Sequence, residues 1–144
     1  MRFPLREIRV KILVHATEDE SKLAEVLRVL LPAGTKVERT ELEGQHGNPI
    51  SLLEARVRGR REVEGTISSL LRKLENREAL LSSLGSYMDE QGNLYLRLDK
   101  QLACRGRWVL GRGDEVIHLT LRGGGGPSKA GGLLEFLKSL GKEG

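Results

Sequence analysis

The chain has 144 residues, enough for one hydrophobic core, with 38% hydrophobic and 31% charged residues. That mix suits a soluble chain with a heavily charged surface, as heat-adapted proteins often have. No apolar run reaches the roughly 18 residues that a membrane helix needs, and the single cysteine, Cys104, excludes an internal disulfide and fits a reducing, cytoplasmic setting.

The net charge is +4, and its placement matters more than its size. Residues 1–99 hold 16 Lys/Arg and 16 Asp/Glu, whereas residues 100–144 hold 8 and 4. The excess therefore lies in the last third, which permits an anionic partner without demanding one. Aromatics make up only 3% of the chain, so leucine, valine and isoleucine must fill the core.

In chain order, "MRFPLREIRVKILVHA" does not read as a signal peptide, because charges interrupt its apolar residues. Within it, "EIRVKILVH" (7–15) alternates with period two and predicts a strand. Ile8, Val10, Ile12 and Val14 form its buried face; Arg9, Lys11, Leu13 and His15 form the other. "TEDE" then predicts a capping box, with Thr17 capping the helix start and Glu20 reaching back. Leu23, Val26, Leu27 and Leu30 keep helical spacing until Pro32. Residues 36–42 predict a second strand, and "ISLLEARVR" (50–58) a third, with Arg56 and Arg58 outward. Helices are predicted over 61–75 and 77–84, followed by the turn "DEQGN" and the strand "LYLRL" (94–98), with Tyr95 and Arg97 outward. Residues 99–107 are ambiguous. "WVL" (108–110) and "EVIHLTLR" (115–122) predict a closing hairpin across "GRGD".

The expected fold is an α+β domain over residues 1–122, with a largely antiparallel sheet and helices packed on one face. Residues 123–132 read as a Gly-rich linker, and 133–144 as a short amphipathic tail.

Pooling the outward strand positions gives Arg9, Lys11, His15, Arg56, Arg58, Tyr95, Arg97, His118, Thr120 and Arg122, with Glu54 as the acid. On one shared sheet they make a basic face with one aromatic. Such a face can hold phosphates by charge and stack a base on Tyr95. An ordinary solvated sheet face would also use arginine and lysine. The loop "LEGQHGNP" (42–49) stays open between two roles. Gln45, His46 and Asn48 offer groups for base edges or a sugar hydroxyl, yet Glu43 and Asn48 also suit turn capping. Catalytic signals are weak. The three histidines show no metal-ligand spacing, and Cys104 has no neighbouring Cys or His. "GGGGPSK" lacks the Gly-Lys-Ser/Thr ending of a phosphate loop.

"VHATED" (14–19), "LEGQHGNPI" (42–50) and "GNLYLRLDKQ" (92–101) occur in an order that resembles an archaeal family of small RNA-binding proteins, described as predicted exosome-associated subunits. The resemblance runs over residues 5–122. It departs at Gln45, where the family loop usually carries a second histidine. It implies an α+β fold like that of a large-subunit ribosomal protein, RNA binding without catalysis, and exosome or ribosomal proteins as partners. It carries over His15, His46, Asn48, Arg97, Asp99 and Lys100.

The expectation is a non-catalytic RNA-binding accessory factor with no metal or other cofactor and no membrane partner. Its RNA-binding residues are Arg9, Lys11, His15, His46, Asn48, Arg56, Arg58, Tyr95, Arg97 and Lys100. The alternative is a scaffold subunit that docks on other proteins. Two placements are expected: the arginines lie on the sheet face away from the helices, and the 42–49 loop lies near Asp99 and Lys100, where His46 pairs with Asp99.

Overall fold

The computed structural model of the protein describes residues 5–44, 47–123 and 137–139. Five strands form one antiparallel sheet: β1 (Leu5–His15), β2 (Val37–Glu43), β3 (Pro49–Arg58), β4 (Leu94–Asp99) and β5 (Val116–Gly123). Their spatial order is β2-β3-β1-β5-β4. The helices are α1 (Glu20–Leu30), α2 (Arg60–Lys73), α3 (Arg77–Ser82) and α4 (Lys100–Cys104), with a 3-10 turn over Leu84–Tyr87.

The alternation decides which sheet face is covered. Ile8, Val10, Ile12, Leu53, Val57, Leu96, Leu98 and Leu119 are all buried on the helical side. Helix α2 lies over β1 and β3, and α1 packs against β1 and α4. Leu23, Val26, Leu27 and Leu30 of α1 and Val63, Ile67, Leu70 and Leu71 of α2 complete this core. Each fully buried Leu, Ile or Val stabilises the fold by about 1.5–3 kcal/mol relative to exposure. The α+β architecture is thus the expected one, with helices on one face.

Two local details differ from the sequence reading, and a third resolves part of the stretch 99–107, which is ambiguous in sequence. Asp19 caps α1, not Thr17: its carboxylate accepts from the amides of Ser21 at 3.0 Å and Lys22 at 3.3 Å. Glu20 instead meets Arg39 across a 3.0 Å ion pair, tying α1 to β2. The predicted hairpin of 108–110 with 115–122 does not form. Residues 109–111 run beside β4: the Asp99 amide donates to Val109 O and the Gly111 amide to Arg97 O, both at 2.8 Å. Strand β5 is already paired on both sides, with β1 and β4, so no free edge remains for them. Finally, Asp99 caps the short helix α4 by accepting from the Leu102 amide at 2.9 Å.

Of the tail, Leu137 is 1% exposed and belongs to the core. The rest of the predicted linker and tail, apart from Gly123 and residues 137–139, lies outside the described residues.

Candidate nucleic-acid interface

Strand register assembles the opposite face residue by residue. One row across the sheet reads Arg56, Arg9, Thr120, Tyr95. The next reads Glu54, Lys11, His118, Arg97, and the row on the other side begins Arg58, Glu7, Arg122. Cross-strand neighbours have Cβ atoms about 4.5–5.5 Å apart, so these side chains form one continuous surface. The register therefore brings Arg9, Lys11, Arg56, Arg58, Tyr95 and Arg97 together, as expected. A groove of about 650 Å³ runs across this face, lined among others by Lys11, Asn93, Tyr95, His118, Thr120 and Arg122.

Arginines directly opposite each other, as Arg9 and Arg56 are, repel. Glu7 supplies the compensation, and the pooled sequence positions omitted it. Its carboxylate, with a side chain only 15% exposed, lies 2.6 Å from Arg9 Nε, 3.9 Å from Arg56 and 3.7 Å from Arg58. Burial pushes its pKa up, but the Arg9 hydrogen bond and the charges of Arg9, Arg58 and Arg56 outweigh that and hold it below its ordinary value. Glu7 is therefore ionised and keeps the arginine cluster in place. Its position as the first residue of an alternating strand reading was the available signal.

Tyr95 is positioned by the turn before β4. Its hydroxyl donates to Asp89 Oδ2 at 2.7 Å, while Asn93 Nδ2 donates to the same oxygen at 2.9 Å. The Asn93 side chain first, then the Tyr95 hydroxyl and the amides of Asn93 and Gln91, outweigh the opposing effect of burial and hold the Asp89 carboxyl down at about 2. Tyr95 remains 47% exposed and lines the groove. Beside it, burial, and then the Arg97 charge, lowers the pKa of His118, favouring the neutral ring.

Lys100 departs from its expected role. Its side chain is 0% exposed, and its ammonium donates to Leu13 O at 2.6 Å and to Glu18 Oε1 at 3.0 Å, with Glu115 Oε2 at 3.5 Å. A phosphate cannot reach a cation enclosed this way, so Lys100 is a structural residue. Alternation predicted strand geometry up to 98, but Lys100 starts α4, and the helix turns its stem inward. His15 joins this cluster: its Nε2 is 3.3 Å from Glu115 Oε1. Among the described residues, His15, Glu18 and Glu115 are the group with metal-ligand geometry. Lys100 already supplies a positive charge to both carboxylates.

The 42–49 loop lies at the same end of the sheet as this cluster, because His15 pairs with Ile50 and Asp99 with Val116. Strands β1 and β5 nevertheless stand between β3 and β4. The loop closes through the Gly44 amide to Asn48 O at 2.8 Å, and Gly47 adopts φ +74°, which favours glycine. Asn48 is exposed. His46 and Gln45 lie outside the described residues, and the expected His46–Asp99 pair with them. One oxygen of Asp99 is committed to the α4 cap.

The profile of a family described as RNA binding matches residues 7–122. The chain belongs to this family. It is similar to an RNA-binding protein of Pyrococcus abyssi, 34% identical over 122 residues that cover 80% of this chain and 79% of the relative. Among solved structures, it is similar to a DUF54 protein of Methanothermobacter thermautotrophicus, with TM-score 0.77, 35% identity and coverage of 96% of this chain and 98% of that one. A protein of Sulfolobus solfataricus gives TM-score 0.75 at 28% identity, covering 95% and 98%. The matched span contains β2, β3 and β4, all of β1 from Glu7 and all of β5 up to Arg122, and so every residue of the basic face named above.

Proposed function

We propose that the open sheet face binds single-stranded RNA without catalysing its cleavage. The row Arg56–Arg9–Thr120–Tyr95, with no helix over it among the described residues, carries this reading. Arginines supply phosphate contacts, and an exposed ring supplies a stacking platform that only an unpaired base can use. Family membership and the name of the Pyrococcus relative support RNA as the anion. The resemblance noted in the sequence supports a role as an accessory factor in archaeal RNA processing or degradation, with exosome or ribosomal proteins as partners.

The test is fluorescence anisotropy with single-stranded and duplex RNA across a salt series. Arg9, Lys11, Arg56, Arg58, Arg97 and Arg122 give six candidate phosphate contacts, hence a log-log slope of roughly −4 if all engage. Replacing Arg56 and Arg58 together with alanine should flatten the slope by about 1.4 and weaken binding. Unchanged affinity in that folded variant would overturn the reading. A second reading, protein docking, is favoured by Leu13 and Leu42, 39% and 42% exposed toward one end of the same face. Association through those leucines would be nearly insensitive to salt.

A further inference from the structure

Strand β4 has a second recess on its far side. It encloses about 460 Å³ and is lined by Tyr87, Met88, Leu110, Arg97 and Arg112, with Tyr95 at its boundary. Tyr95 also lines the sheet groove, so the two depressions meet at one ring. We propose that this recess is a second nucleotide site, into which an RNA strand lying on the sheet continues past Tyr95.

Three observations carry the assignment, which rests on the RNA-binding reading above. The backbone edge of β4 is already occupied: Gly111 and Val109 take its hydrogen bonds, and Met88 bridges to Leu94. An extended peptide therefore cannot add a strand there. Side chains alone define what the recess accepts. Tyr87, Met88 and Leu110 are partly buried against the core and give an apolar floor suited to the flat face of a base. Arg97 and Arg112 are exposed, make no ion pair among the described residues, and stand where the flanking phosphates would run. Among the described residues, no Asp or Glu lines the recess to neutralise them. Asn76 fixes the wall, since its Oδ1 accepts from the Leu110 amide at 2.9 Å. The turn "GRGD" thereby acquires a binding role for Arg112 that the sequence did not suggest.

The test compares labelled oligouridylates of about three and about twelve nucleotides by anisotropy. Ala79 and Arg112 are both exposed at the recess, so Ala79→Glu and Arg112→Ala should leave the thermal midpoint unchanged. The expected result is a roughly tenfold weaker complex with the longer strand for Ala79→Glu, and little change for Ala79→Gln. Arg112→Ala should flatten the longer strand's salt slope by about 0.7. The shorter strand should bind both variants nearly as it binds the unmodified protein. Equal losses on both lengths, or none on the longer, would overturn the second site while leaving the sheet face intact. Failure of the unmodified protein to bind either length would overturn both proposals together.

Discussion

Replacing Lys100 with methionine separates a structural lysine from a phosphate-binding one. Methionine keeps most of the apolar stem and removes the ammonium. What remains is Glu18, 14% exposed, which keeps the His15 amide at 2.9 Å and Gln101 Nε2 at 3.3 Å but loses its cation, while Leu13 O loses the donor it had in Lys100. Removing one partner of a buried ion pair typically costs about 3–5 kcal/mol. Glu115, at 59% exposure, can turn to water, so its share is screened and the low end of that range applies. About 3 kcal/mol corresponds to a fall in melting temperature of about 10 °C for a chain of this size. Circular dichroism melts would read it, and adding Glu18→Gln should recover part of the loss, because the uncompensated carboxylate is then gone. RNA affinity, measured well below the lowered melting point, should stay within about twofold of the unmodified protein, since surface neighbours are undisturbed. A variant with an unchanged melting point and a weaker, flatter salt response would refute the buried-pair argument and return Lys100 to the RNA-binding face.

Glu7→Gln should release the three arginines it holds, lower stability modestly, and steepen the salt slope by up to about 0.7 for each guanidinium that turns to phosphate; a shallower slope would contradict its clamping role. Tyr95→Ala should cost about 1–3 kcal/mol of RNA binding with little change in slope, whereas Tyr95→Phe should keep the affinity despite losing the Asp89 hydrogen bond; equal losses in both would argue against stacking. His118 has its pKa held below 6.5, so the unfolded chain binds more protons and stability falls as pH drops below that value. A bound phosphate offsets the repulsion from Arg97, Lys11 and Lys100 to which Asp114 is the opposing charge, so RNA should bind more tightly at about pH 5.5 than at about pH 7.5, and His118→Gln should reduce that gain. The Asp89 carboxylate, lowered from 3.8 to about 2, contributes stability that is present above 3.8 and lost as pH falls toward about 2; acid titration of Asp89→Asn should lack that limb.

The sequence alone determined the strands β1–β5 and the faces of four of them, while wrongly adding a strand at 108–110. Period-two alternation is a local property: in β1, β3, β4 and β5 it separates Ile12, Val57, Leu96 and Leu119 from Arg9, Arg56 and Tyr95 without knowledge of the neighbours. The α+β class followed from those strands and the two amphipathic helices α1 and α2. Which strands stand side by side was not legible, because pairing depends on contacts distant in sequence. Only the order β2-β3-β1-β5-β4 put Arg56 of β3 and Tyr95 of β4 in one row through β1 and β5. The same holds for Lys100. Its place after a regular strand reads as surface, but the ammonium meets Leu13 O and Glu18 from more than 80 residues earlier in the chain. Glu7 is the converse case: its identity was plain, yet its function as the counter-charge of Arg56 and Arg58 exists only once β1 and β3 pair. Charge at a position is written in the sequence; whether that charge faces solvent, a phosphate or a buried partner is set by the tertiary packing that controls its desolvation.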